Sequence, residues 1–354
     1  MSKFLNDRFS SLERYVPGEQ PQDKKYIKLN TNESPFPPSP KVIEGLDRGE
    51  KEKLCLYCDP ECKALKKALA DLYGVKSENV FLSNGSDDIL NFAFMVWGKD
   101  GAIFPDITYG FYTVFCDLHG VKYTQYPLRE DFSVDASDYI GKKEFAVIAN
   151  PNAPTGMTME MGDIEKIAAS NPERVVLIDE AYVDFGGESA LPLTKKYDNV
   201  LVCQTFSKSR SLAGARLGFA IGNKTLIEDL DLIKYSTNPY NVNRLTQKAG
   251  EYAVEENDYY VNNCKKIIEN REYTRRELEK LGFTVLDSKA NFIFVKSSRI
   301  GGEELYKALK DRGVLVRHFT KERIRDYNRV TIGSKEQMEK FIECVTHILK
   351  GEEK

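Results

Sequence analysis

Short apolar runs alternate with amphipathic stretches between about residues 60 and 235. The runs at 146–149, 175–178 and 200–203 have strand length and no polar face, which is typical of buried parallel strands. Residues 80–82 form a similar run, followed by an Asn-Gly-Ser turn and a helical pattern at 87–96. This alternation predicts an α/β arrangement with a mostly parallel sheet.

Two further segments have the spacing of amphipathic helices. In residues 62–73, the apolar side chains that share one face are Leu65, Ala68, Leu69 and Leu72. Gly74 follows them, and glycine is favoured just beyond a helix C-terminus. Residues 335–349 also have a helical pattern, and Ser334 with Gln337 three residues later forms a capping-box signature at its start.

The C-terminal part of the chain has a different pattern. Strand-like runs at 283–286, 291–295, 314–317 and 329–332 surround a helical pattern at 303–310, which predicts a separate α+β unit. A charged segment at 244–280, rich in helix formers, predicts a connecting helix pair. The first forty residues are rich in proline, so we expect them to form an extended arm.

Charge and composition restrict the possible partners. The chain has 54 acidic and 51 basic side chains, so it lacks the basic field that would hold a polyanion, and we expect no nucleic-acid partner. No apolar run approaches the roughly 20 residues that span a bilayer, and residues 1–17 lack the apolar core of a signal peptide. We therefore expect a soluble cytoplasmic protein with no membrane contact.

Metal chemistry is restricted by the ligands that the sequence offers. Cys55, Cys58 and Cys62 form a cluster, but no fourth ligand follows at zinc-finger spacing. Seven cysteines, an odd number in a chain without a signal peptide, fit reduced thiols. With only three histidines, we expect no metal site and a mechanism that uses Lys, Asp, Tyr, Asn and Arg.

Polar residues stand where the predicted strands end. In an open α/β sheet, ligands bind outside the carboxyl ends of the strands. Asn150 follows the first of the three central runs, Asp179 and Tyr182 follow the second, and Lys208 follows the third. Singly, each has an ordinary explanation as a turn, a helix cap or a solvated charge.

Together, these residues match the requirements of pyridoxal 5′-phosphate. A lysine can form a Schiff base with an aldehyde, and a carboxylate on a neighbouring strand can pair with a protonated ring nitrogen. Asn150 and Tyr182 can donate to the ring oxygen, and Tyr109 can cover the ring face. The phosphate needs hydroxyls, helix N–H groups and a cation, which are available from Ser86, Thr205, Ser207 and Arg216.

Longer motifs carry a family resemblance. The most specific are Y-V-P-G at 15–18, L-N-T-N-E-S-P at 29–35, N-G-S-D at 84–87, N-P-N-A-P-T-G at 150–156, D-E-A-Y at 179–182, T-F-S-K at 205–208 and L-A-G-A-R-L-G at 212–218. With these motifs in this order, nearly the whole chain resembles the fold-type-I pyridoxal-phosphate aminotransferases, and within them the histidinol-phosphate aminotransferases.

The resemblance implies roles for the residues at the strand ends. Lys208 would form the Schiff base and Asp179 would pair with the pyridine nitrogen, while Asn150 and Tyr182 bind the ring oxygen and Tyr109 stacks on the ring. The phosphate would be held by Gly85, Ser86, Asp87, Thr205, Ser207 and Arg216.

The resemblance also implies substrate contacts and a homodimer. Tyr57 stands where the family has a tyrosine that reaches the neighbouring subunit's cofactor. Arg329 matches the arginine that binds the substrate's carboxylate or phosphate, and Arg317 matches a second arginine near the same pocket, although it could also be a surface strand residue. Tyr15 and Asn32 are candidates for substrate contact, with a structural role in the arm as the alternative.

The sequence departs from the family pattern in a few places. Ala153 stands where the family usually has asparagine, and Cys58 where it usually has proline, and we expect neither change to affect a chemical role. His318 and Phe319 differ from the small or polar residues of some relatives. These last two put the identity of the substrate in question, and not that of the cofactor.

The expected fold has two domains. The N-terminal arm with part of the small domain is expected at 1–44, a large cofactor-binding domain at 45–245, and a connecting helix with the C-terminal small domain at 246–354. The large domain would have helices on both faces of its sheet, and the smaller α+β domain would be built from both chain ends. A length of 354 residues agrees with about two domains.

The implied activity is amino transfer from histidinol phosphate to 2-oxoglutarate, in histidine biosynthesis. A decarboxylase of a phosphorylated amino acid, such as threonine-phosphate decarboxylase, and an aromatic amino-acid aminotransferase are the alternatives with the same cofactor. A noncatalytic regulator would need a DNA-binding segment, for which the chain has no spare region. A nucleotide-binding oxidoreductase would need a glycine-rich motif that the sequence lacks.

Overall fold

The apolar runs lie side by side in one central sheet. The computed structural model describes residues 2–10, 12–13, 18–46 and 48–351. The strands are Ile27–Lys28 (β1), Val80–Ser83 (β2), Ala102–Pro105 (β3), Tyr123–Tyr126 (β4), Phe145–Ala149 (β5), Val176–Asp179 (β6), Val200–Thr205 (β7), Gly218–Gly222 (β8), Phe283–Val285 (β9), Phe292–Ser297 (β10), Val314–Leu315 (β11), Arg317–His318 (β12) and Asn328–Thr331 (β13).

The helices lie between and after these strands. They are Pro40–Gly45 (α1), Arg48–Glu52 (α2), Lys63–Tyr73 (α3), Ser86–Trp97 (α4), Phe111–His119 (α5), Met161–Ser170 (α6), Lys224–Thr237 (α7), Arg244–Glu255 (α8), Asn257–Lys280 (α9), Gly302–Asp311 (α10) and Lys335–Lys350 (α11). Within the described ranges, none of them combines the length and the apolar character needed to cross a bilayer.

The large sheet is mostly parallel, as predicted. In the described part of the chain its strand order is β2-β8-β7-β6-β5-β3-β4. β8 runs antiparallel to both neighbours, and the other neighbouring pairs are parallel. β5, β6 and β7 are buried along their whole length, which explains why their sequences are continuous apolar runs.

Helices cover both faces of this sheet. Alternate residues of its central strands point to opposite faces, and both sets are apolar. Leu177 packs in one core cluster with Phe94 of α4. Its neighbours Val176 and Ile178 pack on the other face with Ile164 of α6. A sheet with two apolar faces needs a helical layer on each, so the predicted α/β class is confirmed.

Three helix predictions are confirmed, two of them by the structure of a helix end. α3 ends at Gly74, which has a φ of 63° and donates its N–H to the Ala70 carbonyl. The side chains of Ser334 and Gln337 form the predicted capping box at the start of α11. The segment expected to be a helix pair is α8 followed by α9.

A second, smaller unit contains residues from both parts of the chain. Among the described residues, β12-β13-β10-β9 form an antiparallel sheet, whose core is shared with α9, α10 and α11. β1 of the N-terminal arm pairs in parallel with β11, with Ile27 opposite Val314. The arm is thus tied to the small unit, while the expected domain boundaries near residues 45 and 245 stay predictions.

Some strands differ from the predictions. The run predicted as one strand at 314–317 is two strands, because β11 pairs with β1 and β12 pairs with β13. β3, β4 and β8 were not predicted. β4 is a polar, largely exposed edge strand, and β8 is a five-residue strand with glycine at both ends, so neither has a long apolar run.

Candidate active site

Three parallel strands end close together at one edge of the large sheet, with β7 extending two residues beyond β5 and β6. Ala149 of β5 lies opposite Asp179 of β6, which lies opposite Cys203 of β7. The chain therefore leaves β5, β6 and β7 at one edge of the sheet. Asp179 ends β6, Tyr182 follows it, and Lys208 lies on the turn after β7. The register therefore brings these residues, which are far apart in sequence, to the same edge.

Asp179 is a buried carboxylate with two hydrogen-bond donors. The Tyr112 hydroxyl donates to its Oδ2 at 2.8 Å, and the Ala181 N–H donates to its Oδ1 at 3.2 Å. Burial raises the pKa of Asp179 to about 6, against the opposing effect of these two hydrogen bonds. A cation placed against this carboxylate would favour its charged form.

Lys208 lies on the turn after β7 and lines the same cavity as Asp179. Its Nζ donates to the Thr31 carbonyl at 3.1 Å. Burial, together with the positive charge of Arg329, lowers the pKa of Lys208 to about 8. A large fraction of this amine is thus neutral at mildly alkaline pH, and the neutral form is the nucleophile.

The cavity between these two groups has about 580 Å³ of empty volume. Most of the predicted cofactor residues line it. The residues that the sequence predicted and the structure brings together here are Ser86, Asp87, Tyr109, Asp179, Tyr182, Thr205, Ser207, Lys208 and Arg216.

One end of the cavity has the features of an anion site. The twelve-residue helix α4 begins there at Ser86, so its first N–H groups carry partial positive charge. The Arg216 guanidinium donates to Ser207 Oγ at 3.4 Å and to Asp87 Oδ2 at 3.0 Å. The Thr205 hydroxyl donates to Ser207 Oγ at 3.0 Å. A cation, hydroxyls and a helix N-terminus are the groups that a phosphate needs.

Two glycines make this end of the cavity possible. Gly85 has a φ of 85°, and a Cβ there would overlap the Arg216 guanidinium. A Cβ on Gly218 would overlap the backbone of Gly85 and Ser86. The resemblance pointed to Gly85, whereas Gly218 stands in the sequence only as the last residue of the 212–218 motif.

Tyr109 borders the cavity beside the anion site. Its hydroxyl donates to Asp87 Oδ1 at 2.8 Å, so Asp87 contacts both Tyr109 and Arg216. The Tyr109 ring packs edge-on against Tyr112, with centroids 5.7 Å apart. Tyr112 is three residues later on α5, and only the fold shows that it supports both Tyr109 and Asp179.

The structure does not bring the Asn150 amide into the cavity. Its Oδ1 accepts the Met159 N–H at 2.8 Å, and its Nδ2 donates to the Met159 carbonyl at 3.4 Å. Pro151 and Ala153 line the cavity instead. Asn150 is thus anchored to backbone beside the cavity, and since its NH2 has a second hydrogen, the expected contact with a ring oxygen stays a prediction.

A larger cavity of about 1840 Å³ adjoins the first and shares Tyr109, Tyr182 and Lys208 with it. Arg317 and Arg329 line this second cavity and are direct cross-strand partners on β12 and β13. Side chains opposite each other on neighbouring strands share a face of the sheet, so the two guanidiniums suit one anionic group.

The remaining predicted residues lie elsewhere. Asn32 lines the larger cavity and donates from Nδ2 to the Tyr182 oxygen at 3.0 Å. Tyr57 is 80% exposed, and its ring stacks on Tyr240 with centroids 4.5 Å apart. It lines neither of these two cavities. Tyr15 lies outside the described residues.

The cysteine cluster has no metal-site geometry in the described residues, where no three His, Cys, Asp or Glu side chains are grouped to hold an ion. Cys55 is exposed and Cys62 is buried. Burial raises the pKa of the Cys62 thiol to about 11, so this thiol is a poor nucleophile at neutral pH.

Comparison with known proteins agrees with this geometry. A family model described as aminotransferase class I and II matches residues 24–345. A histidinol-phosphate aminotransferase of Brachyspira hyodysenteriae is 51% identical over 354 residues, covering 99% of this chain and 100% of that protein. One from Clostridium botulinum strain Kyoto is 46% identical over 351 residues, covering 99% of each chain.

A solved structure shows the same fold. The histidinol-phosphate aminotransferase from Sinorhizobium meliloti, in complex with pyridoxal-5′-phosphate, superimposes with a TM-score of 0.87. The superposition covers 99% of each chain at 22% sequence identity.

The lowered pKa of Lys208 predicts how covalent uptake of pyridoxal phosphate depends on pH. The rate should rise with pH and level off above about pH 8, because the amine is then neutral, whereas an ordinary lysine titrates near 10.4. Stopped-flow absorbance of cofactor-free protein at a series of pH values measures this rate. The Lys208→Arg variant should show no uptake, and a wild-type rate that keeps rising to pH 10 would contradict the assignment.

The close approach of Gly218 to the Gly85–Ser86 backbone predicts a selective loss of phosphate binding. The Gly218→Ala variant should bind pyridoxal phosphate at least about tenfold more weakly, since the added methyl displaces the start of α4. Equilibrium titration monitored by absorbance gives the affinity. The control is Gly222→Ala on the same strand, whose methyl meets Leu201 instead; an equal loss in both variants would point to general destabilisation.

Proposed function

Because the chain belongs to the class I and II aminotransferases, we propose that it transfers the amino group of histidinol phosphate to 2-oxoglutarate, in histidine biosynthesis. The enzyme class and the dependence on pyridoxal 5′-phosphate follow from the family. The substrate is the proposed part. The observation that carries it is that relatives matching the whole chain at 46 to 51% identity are histidinol-phosphate aminotransferases.

The residues of the smaller cavity fit the cofactor. Pyridoxal 5′-phosphate supplies an aldehyde that bonds an amine covalently and a ring that accepts electrons from the substrate carbon. We propose that Asp179 holds a proton on the ring nitrogen, and that Tyr182 donates to the ring oxygen. The groups proposed to bind the phosphate are the Gly85–Asp87 turn with Thr205, Ser207 and Arg216.

Lys208 has two proposed roles. Its neutral Nζ would hold the cofactor through its aldehyde, and the same nitrogen, when free, could take a proton from the substrate carbon and return it nearby. Burial and the charge of Arg329 favour the neutral form. The contact with the Thr31 carbonyl places the amine at the boundary of the two cavities.

Arg317 and Arg329 are proposed to bind the anionic end of each substrate. A guanidinium keeps its charge and presents paired donors to a phosphate or a carboxylate. The Arg329 Nη2 donates to the Asn30 carbonyl at 2.9 Å and its guanidinium lies over the Phe292 ring, which fixes its direction. One pair of arginines could therefore bind the phosphate of one substrate and the carboxylate of the next.

The substrate assignment predicts the outcome of a direct assay. Purified protein loaded with pyridoxal phosphate should form glutamate from histidinol phosphate and 2-oxoglutarate, and the Lys208→Ala variant should form none, because it has neither the covalent attachment nor the base. Glutamate formation is measured by a coupled assay. Release of carbon dioxide from O-phosphothreonine would contradict the proposal and indicate the decarboxylase. Faster transfer with phenylpyruvate as acceptor would contradict it and indicate the aromatic amino-acid aminotransferase.

We also propose a homodimer in which Tyr57 reaches the cofactor phosphate of the partner. Tyr57 and its neighbours Leu54 and Leu56 are largely exposed in the isolated chain, at 80%, 57% and 61%. A cluster of exposed apolar side chains is typical of an interface. Because Tyr57 lines neither cavity of its own chain, a second copy gives its hydroxyl a role.

The dimer proposal predicts both a mass and a binding defect. Sedimentation equilibrium should give twice the 40.3 kDa of one chain, and Tyr57→Phe should weaken pyridoxal phosphate binding about five- to tenfold, through loss of one hydrogen bond to an anion. Tyr123→Phe, at an exposed tyrosine on the edge strand β4, is the matched control and should bind normally. A monomeric mass would overturn the proposal.

A further inference from the structure

Asn32 has an unusual backbone conformation at a buried position of the arm. Its φ is 58° and its side chain is 1% exposed. Asparagine and aspartate tolerate this left-handed region better than most other residues, while glycine adopts it freely. A buried residue held in this conformation needs support from its surroundings, and several contacts provide it.

The small unit fixes the orientation of Asn32. Its N–H donates to Thr331 Oγ1 at 3.0 Å, and the Thr331 hydroxyl donates back to Asn32 Oδ1 at 2.9 Å. The Asn291 amide donates to the Asn32 carbonyl at 3.0 Å. Because Oδ1 faces the Thr331 hydroxyl, the other end of the amide, Nδ2, faces Tyr182.

This arrangement determines which group donates at Tyr182. Asn32 Nδ2 donates to the Tyr182 oxygen at 3.0 Å, so the bond uses a lone pair of that oxygen and leaves the phenol's own proton to another acceptor. Tyr182 lines the smaller cavity, and its ring is held edge-on against Phe292 with centroids 5.0 Å apart.

We propose that Asn32 is a positioning residue of the reaction: by donating to the Tyr182 oxygen, it directs the Tyr182 proton toward the ring oxygen of the bound cofactor. The inference rests on the proposed function and gives Asn32 a role other than substrate contact.

An aspartate at position 32 would reverse the hydrogen bond with little change of shape. A carboxylate keeps an acceptor for the Thr331 hydroxyl and tolerates the same φ, but it has no proton to donate and accepts the Tyr182 proton instead. The cofactor's ring oxygen then loses the Tyr182 donor. A hydrogen bond to the deprotonated ring oxygen lowers the pKa at which the bound cofactor loses its proton. Losing the Tyr182 bond therefore raises this pKa.

A double-mutant cycle tests the proposal with a spectroscopic readout. The pH midpoint of the visible absorbance change of the loaded protein is measured for the wild type, Asn32→Asp, Tyr182→Phe and the double variant. Asn32→Asp should raise the midpoint by about one pH unit when Tyr182 is present. In the Tyr182→Phe background the shift should fall to less than about half of that, because only the charge of the carboxylate then acts.

Equal shifts in the two backgrounds would overturn the inference, since the charge alone would explain them. Asn32→Gly keeps the left-handed backbone without adding charge, and it should shift the midpoint in the same direction by a smaller amount; no shift in this variant would also count against the proposal. A wild-type protein with no visible absorbance after loading would instead overturn the proposed function itself.

Discussion

The register of three buried parallel strands is the constraint on which the rest of the site depends. Ala149, Asp179 and Cys203 stand in register across β5, β6 and β7. In this register Leu177 packs with Phe94 on one face, and Val176 and Ile178 pack with Ile164 on the other; a slip of one residue would exchange the two sets. The acid at the end of β6 and the lysine after β7 are therefore presented to the same cavity by the packing of the core.

Burial then gives the two groups opposite electrostatic properties. It raises the pKa of Asp179 to about 6 and lowers that of Lys208 to about 8, so each group is pushed toward its neutral form. A ring with a cationic nitrogen beside Asp179 and an aldehyde beside Lys208 complements both groups, since it supplies a counter-charge to the acid and an electrophile to the neutral amine. The same cavity ends at a helix N-terminus and Arg216, where an anion is favoured.

The sequence predicted the parts of the fold and site that depend on local pattern. Strand runs, the capping box at Ser334 and the polar residues after each strand are visible in one dimension. Contacts between distant segments are not, and so Tyr112 and Gly218 were missed. The orientation of a side chain is equally invisible: Asn150 stands at a strand end, yet its amide pairs with Met159. The run at 314–317 was divided because the arm supplies a partner strand that no local pattern shows.

The central claim is that Asp179 and Lys208 hold one pyridine ring between them. A crystal structure of the protein loaded with pyridoxal phosphate tests it most directly. The account predicts continuous electron density from Lys208 Nζ to the carbon of the former aldehyde, with the ring nitrogen about 2.8 Å from an Asp179 oxygen. A ring bound elsewhere, or one whose nitrogen faces away from Asp179, would contradict it.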